Sequence, residues 1–278
     1  MQDEKIIDRL TRDKTTMSEL VGDKIIKNEL TGSELIKGEL IGSELAGDKI
    51  IKNKLTESEL TKGGLKGDEI IRYENAGISF GGKRVISDFS LRVLRGKKIL
   101  LRGKSGIGKS TLFKMLLGFE KPSEGSLHYR GKPVNAQVAW EVRREVSYVS
   151  QDMDLGEGAV KDLLDEIFSY RPNREKRSPE KLNSLMKELE LNQDILEKNF
   201  ENLSGGEKQR IGILIALMLE RDVFLLDEVT SALDSELKKK VVDHFLKHKD
   251  WTLFIISHDR EWERDGVEIV EIGKDSLS

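Results

Sequence analysis

Gly103-Lys104-Ser105-Gly106-Ile107-Gly108-Lys109-Ser110-Thr111 lies between the apolar run Ile99-Leu100-Leu101 and the segment Leu112-Phe113-Lys114-Met115-Leu116-Leu117. The nine residues fit G-x-x-x-x-G-K-[ST], and the flanks read as a buried strand and a helix, the context this pattern requires. Glycines let backbone N–H groups curl toward phosphate oxygens that side chains would otherwise block. The helix N-terminus adds partial positive charge. Lys109 can reach the β- and γ-phosphates of a nucleoside triphosphate, and the Ser110 hydroxyl can ligate Mg²⁺. The strand–loop–helix context outweighs the bland reading, a glycine-rich turn.

Three later stretches supply matching parts. Val223-Phe224-Leu225-Leu226-Asp227-Glu228 reads as a buried strand ending in two carboxylates. Asp227 fits the role of holding Mg²⁺ through water. Glu228 is placed to polarise the attacking water, a general-base role worth ~10²–10⁴-fold. Beside a phosphate loop, a purely structural role for both acids is the weaker reading. Ser147-Tyr148-Val149-Ser150-Gln151 reads as a strand whose terminal Gln151 can ligate Mg²⁺ and feel what binds next door. Trp251-Thr252-Leu253-Phe254-Ile255-Ile256-Ser257-His258 is a further buried strand with a histidine at its end. Such a histidine can sense a γ-phosphate, although a lone His is more often structural. Phe80 could stack on a nucleobase or sit in the core, and spacing alone leaves both open. Ser231-Ala232-Leu233-Asp234 could start the next helix.

Leu203-Ser204-Gly205-Gly206-Glu207-Lys208-Gln209-Arg210 forms a second cradle. Ser204 reads as an N-cap with Glu207 three residues on, a capping box. Gly205 and Gly206 leave that helix end bare, as phosphate binding requires. One triphosphate does not need two such cradles in one chain. Two copies facing head to tail would use both.

Composition narrows the classes. Charged residues make up 35% of 278, yet net charge is only −3, so nothing points to nucleic acid. There is no cysteine, which rules out disulfides and Cys-based metal sites. Met1-Gln2-Asp3-Glu4-Lys5 does not read as a signal peptide. The longest apolar stretch, near Ile213–Leu219, falls far short of the ~20 residues that span a bilayer. The expectation is a cytoplasmic protein, with any membrane part supplied by another chain. His244 and His248 stand at i, i+4, a workable spacing for two metal ligands. Phe245 occupies the place where a zinc-protease motif needs Glu, so a solvated helix face is the preferred reading. Leu182, Leu185, Met186, Leu189 and Leu191 give an apolar core face.

Residues 1–70 differ from the rest. They hold no aromatic residue and no proline, and carry fifteen acidic and twelve basic side chains, while the remainder is formally neutral. Leu20, Ile25, Leu30, Leu35, Leu40, Leu45, Ile50, Leu55, Leu60, Leu65 and Ile70 recur every five residues. Gly22–Asn28 returns unchanged as Gly47–Asn53. A period of five suits neither helix nor ordinary strand. A square coil with one inward aliphatic per side would collect them on one axis. The segment resembles the pentapeptide-repeat family, which implies a four-sided β-solenoid. The other reading is a flexible low-complexity tail. Either would serve as a docking or spacing module, and nothing in it suggests catalysis.

On the order and spacing of Gly103–Thr111, Leu203–Arg210, Asp227-Glu228 and His258, residues 71–278 resemble an ABC (ATP-binding cassette) ATPase. The resemblance implies an α/β RecA-like P-loop core, an antiparallel β subdomain and a helical subdomain near residues 155–205. It implies a head-to-tail homodimer closing on two ATP with Mg²⁺. By the same resemblance, Phe80 is the A-loop aromatic and Gly103, Lys104, Ser105, Gly106, Ile107, Gly108, Lys109, Ser110 and Thr111 form the nucleotide loop. Gln151 is the Q-loop residue, and Ser204, Gly205 and Gly206 reach the opposite γ-phosphate. Ser110, Gln151 and Asp227 are the metal contacts, Glu228 the base, Ser231–Asp234 the D-loop with Asp234 at the nucleotide, and His258 the switch histidine. Arg144-Glu145-Val146-Ser147-Tyr148 and Leu226–Asp234 are similar to small bacterial iron or metal exporter subunits. Ile215 stands where an Arg is usual, and Gly156 where an aromatic often touches the permease. The implied function is an ATPase driving a separate membrane permease from the inner face of the cell membrane. A soluble ABC ATPase acting on a non-transport partner through the repeats is the alternative. Intact Lys109, Glu228 and His258 argue against an inactive scaffold.

Overall fold

The computed structural model describes residues 68–272. The repeat thus lies outside the described residues, apart from its last three positions. Of these, Ile70 is buried in the first strand.

β1 (Glu69–Phe80) and β2 (Lys83–Leu94) form an antiparallel hairpin. Its two-residue turn is Gly81-Gly82, with φ of 56° and 78°, the left-handed pair that matches strand twist. By sequence, Gly77–Phe80, Arg84–Ile86 and Phe89–Val93 read as short strands joined by turns; the structure merges them into two long ones. They stay continuous because their irregularities are bulges. Asn75, at φ 45°, donates its N–H to Ser90 Oγ at 2.8 Å and accepts from that hydroxyl at Oδ1, so the disrupted backbone is satisfied locally.

β3 (Lys98–Arg102) then leads through the phosphate-loop stretch into α1 (Lys109–Leu116). β4 (Glu124–Tyr129) and β5 (Lys132–Pro133) return as a second hairpin. α2 (Ala136–Glu145), capped by Asn135, precedes β6 (Val146–Val149). α3 (Val160–Ser169) and α4 (Pro179–Glu188) follow. Pro179 sits in the first turn of α4, where its missing N–H costs nothing. α5 (Gly205–Met218) leads to β7 (Val223–Asp227), and α6 (Ser235–Lys247) to β8 (Thr252–Ile256) and β9 (Val267–Glu271).

Two sheets result. One is antiparallel, in the order β2-β1-β4-β5; the other is parallel, in the order β6-β7-β8-β3-β9. The uninterrupted apolar runs of β7 and β8 are buried at every position, as a parallel sheet covered on both faces demands. Tyr73 of the first sheet packs edge-on to Phe254 of the second, and its hydroxyl donates to the Leu112 carbonyl at 2.8 Å. Phe113 of α1 meets Phe254 at 4.9 Å between ring centres. The helix that follows the phosphate loop is thereby wedged between both sheets. α5 is buried on nearly all sides from Ile211 to Met218, so it is a core helix rather than an amphipathic one.

The His244/His248 reading is corrected. This is no solvated face: the His244 Nδ1 contacts the Glu188 carboxylate, and His248 stacks on Trp251 at 3.8 Å. Trp251, directly before β8, packs against both rings. Among the described residues no helix is long and apolar enough to cross a membrane.

Candidate functional site

The carboxyl ends of parallel strands face one side of the sheet, and there a cleft of about 660 Å³ opens. The loop after β3 forms its floor. Gly106 and Gly108 hold φ of 75° and 100°, values that other residues adopt only at a cost. At Gly108 a Cβ would also meet Val85 at 2.8 Å and Ile86 at 2.9 Å, so the loop lies directly against β2. Lys109 is buried, and its Nζ donates to the carbonyls of Gly103 at 2.8 Å and Lys104 at 3.1 Å. Burial pulls the Lys109 pKa down, while Glu228 and Asp227 push back.

Asp227 ends β7 and is 2% exposed. Burial pushes its carboxyl up to about 6, and a hydrogen bond from Ser110 holds it from going further. Its Oδ1 is buried with no hydrogen-bond partner. An orphaned carboxylate oxygen beside a serine hydroxyl, with the Gln151 amide on the same cleft, is a hard oxygen donor set. It fits Mg²⁺. Glu228 is also raised by burial, with His258 the main opposing influence. Its Oε1 is 3.6 Å from His258 Nε2, and its Oε2 is 3.4 Å from the His258 N–H. These groups can grip a polyphosphate, hold a hard cation and take a proton from water.

Most of the residues singled out in the sequence converge here. Phe80, Ser105, Gly106, Gly108, Lys109, Ser110, Thr111, Gln151, Asp227, Glu228 and His258 all line the cleft. Phe80 is exposed, which decides against a core role. Gly103, Lys104 and Ile107 shape the loop from behind, Ile107 being buried in the core. Ser204, Gly205, Gly206 and Asp234 are not part of the cleft wall. Ser204 caps α5 through the expected capping box with Glu207, and Ser204 and Gly205 face outward. Asp234 caps α6, accepting from the N–H groups of Glu236 and Leu237.

Sequence reasoning missed Val85, Ile256 and Asp259 as cleft residues, and of the expected D-loop it is Ser231 that lines the cleft. Asp259 ties the region together: it accepts from Thr230 Oγ1 at 2.6 Å and pairs with Lys238 at 2.7 Å. Its place directly after His258 was the only available signal.

A phosphate loop feeding a parallel sheet, with paired acids at the end of another strand, defines a P-loop nucleoside triphosphatase. Within that class the chain belongs to the ABC transporter family, whose profile matches residues 86–231. It carries an ATP-binding domain of that family; the homologous domains are ATPases coupled to transport, and they generally bind ATP with Mg²⁺. It is 34% identical to the lactococcin-G-processing and transport ATP-binding protein LagD of Lactococcus lactis subsp. lactis, over 68% of this chain and 28% of that protein. It is 31% identical to the probable iron export ATP-binding protein FetA of Escherichia coli K12, over 69% of this chain and 86% of that one. Among solved structures, a bacterial Atm1-family ABC exporter with ATP bound shares the fold, with a TM-score of 0.64 at 21% identity. That match covers 76% of this chain and 38% of the exporter. The chain thus spans little of LagD and most of FetA.

Proposed function

We propose that the chain is the ATP-hydrolysing subunit of a transporter in which two copies close head to tail on two ATP. The observation that carries this is the separation of the two phosphate cradles. Lys109, Ser110, Asp227, Glu228 and His258 share one cleft, while Ser204 and Gly205 at the start of α5 face outward and none of Ser204, Gly205 and Gly206 lines it. A second molecule would bring its own Ser204-Gly205-Gly206 over that cleft, with Asp234 near the seam.

In this reading the loop Gly103–Thr111 grips the phosphates, Lys109 neutralises the β- and γ-oxygens, and Phe80 stacks on the base. Ser110, Asp227 and Gln151 hold Mg²⁺. Bound there, the metal would neutralise charge on the transferring phosphoryl group. Glu228 takes a proton from water as its oxygen bonds to the γ-phosphorus and the bridging bond to ADP breaks. His258 steadies Glu228 and contacts the γ-phosphate.

Residues 71–278 form the cassette and residues 1–70 a docking or spacing module. Hydrolysis drives a separate permease, with the chain held at the inner face of the membrane by that partner. A metal ion such as iron is the proposed exported species, supported by the likeness to FetA. Size-exclusion chromatography of the Glu228→Gln chain tests the dimer. A shift to twice the mass with ATP and Mg²⁺ is expected, and a monomer at saturating ATP refutes the reading. Co-purification with a multi-span protein tests the permease.

A further inference from the structure

Gln209 lies in α5, five residues beyond Ser204, and is 2% exposed. Both ends of its amide are spent on one loop. Nε2 donates to the Glu228 carbonyl at 2.8 Å, and Oε1 accepts from the Ala232 N–H at 3.0 Å. Between these anchors lies the turn that leaves β7. Glu228 itself has φ +50°, a left-handed backbone that a residue with a side chain keeps only when its surroundings hold it there. Those surroundings are few. The Glu228 N–H donates to Ile256 at 2.8 Å, and its carbonyl also accepts from the Ser231 N–H at 3.1 Å and Oγ at 2.8 Å. Ile256 belongs to the neighbouring strand and Ser231 to the same turn. Gln209 alone among these reaches in from the helix that carries Ser204–Gly206.

We propose that Gln209 is a positioning residue for hydrolysis: it holds the Glu228 backbone in its left-handed setting, and so fixes the aim of the carboxylate. This rests on the reading of Glu228 as the base. One side chain would then tie the outward cradle of a molecule to the reacting end of its own cleft. Any shift of α5 would move the Glu228 carbonyl with it. The amide is buried and lies outside the cleft lining, so its effect falls on turnover and spares nucleotide binding.

The test uses the full chain, with ATP turnover and binding of a non-hydrolysable ATP analogue as separate readouts. Gln209→Met keeps length and loses both hydrogen bonds. Its kcat should fall by about 10–100-fold while KM and analogue affinity stay within about threefold, the split expected of a group acting on the transition state alone. In the Glu228→Gln background the same change should leave residual turnover within about twofold, because the two residues act as a unit. An unchanged kcat in Gln209→Met overturns the proposal. So does an equal fractional loss in both backgrounds, which marks general damage. Should the Met variant not fold, Gln209→Lys keeps a donor toward the Glu228 carbonyl and Gln209→Glu does not. The Lys variant must then be the faster, and equal rates overturn the proposal. Wild-type turnover in Glu228→Gln alone would instead sink the base assignment beneath it.

Discussion

Glu228 Oε1 stands 3.6 Å from Nε2 of His258, and the other oxygen of the same carboxylate faces the His258 N–H at 3.4 Å. The two residues follow the ends of β7 and β8, which are hydrogen-bonded neighbours in the parallel sheet. The pairing is therefore a consequence of strand order. Glu228 is largely buried while the His258 ring is more than half exposed, so the histidine can meet an incoming ligand without losing the carboxylate.

Replacing Glu228 with Gln removes the proton acceptor and leaves the shape. Turnover should drop by about 10²–10⁴-fold with ATP affinity retained. The wild-type pH profile carries a second check. Burial raises the Glu228 pKa, and a base works only when deprotonated, so activity should fail on the acid side above the ordinary glutamate value of 4.5. Phosphate release measured against pH reads this directly; an acid limb at or below that value would contradict the assignment.

Lys109→Ala should weaken nucleotide binding itself, by about 10-fold or more, since the lost ammonium contacts phosphates in ground state and transition state alike. Equilibrium titration with a fluorescent ATP analogue measures it. Unchanged affinity would remove Lys109 from the phosphate site.

Asp227→Asn should make the nucleotide-free, metal-free chain more stable. The folded-state pKa is raised from 3.8 to about 6, so the native protein binds this proton more readily than the unfolded chain does. Stability therefore falls as pH rises between those values, and the full cost persists above about 6. At one pKa unit per 1.36 kcal/mol the penalty is ~3 kcal/mol near neutral pH and vanishes below the unfolded value. Thermal melts should show the Asn variant ahead at neutral pH and level with wild type near pH ~4. Mg²⁺-dependent turnover should be lost in the same variant.

Gly125→Ala tests the antiparallel sheet. Gly125 has φ +70°, and a Cβ there would lie 2.2 Å from the Asn75 carbonyl oxygen and 2.3 Å from that of Glu74. Both obstacles are backbone, at the bulge where β4 crosses β1. Left-handed strain and overpacking together should cost about 2–5 kcal/mol. Chemical denaturation measures it, and a loss under about 1 kcal/mol would mean that the bulge yields easily.

Much of this molecule was legible as local pattern. Gly103–Thr111 announces its own turn because glycine spacing and a following helix are short-range facts. The runs Val223–Asp227 and Thr252–Ile256 read as buried strands because short continuous apolar runs suit a strand covered on both faces; the structure pairs them in parallel. Ser204 and Glu207 name their own capping box. Other features were illegible for a physical reason. β1 and β2 looked broken because Asn75 and Asp88 interrupt the pattern, and only the Ser90 side chain opposite Asn75 shows how one bulge is satisfied.

Side-chain chemistry and periodicity act over a few residues, and that range sufficed to mark the loop, the acids and the strands. Which of those marks share a cleft depends on contacts between segments a hundred residues apart. Strand order put His258 beside Glu228, and packing of α5 put Gln209 on the Glu228 carbonyl. The same packing turned the Ser204 helix end outward. Backbone direction after a buried strand or helix is set by everything packed around it, and no short window of sequence contains that.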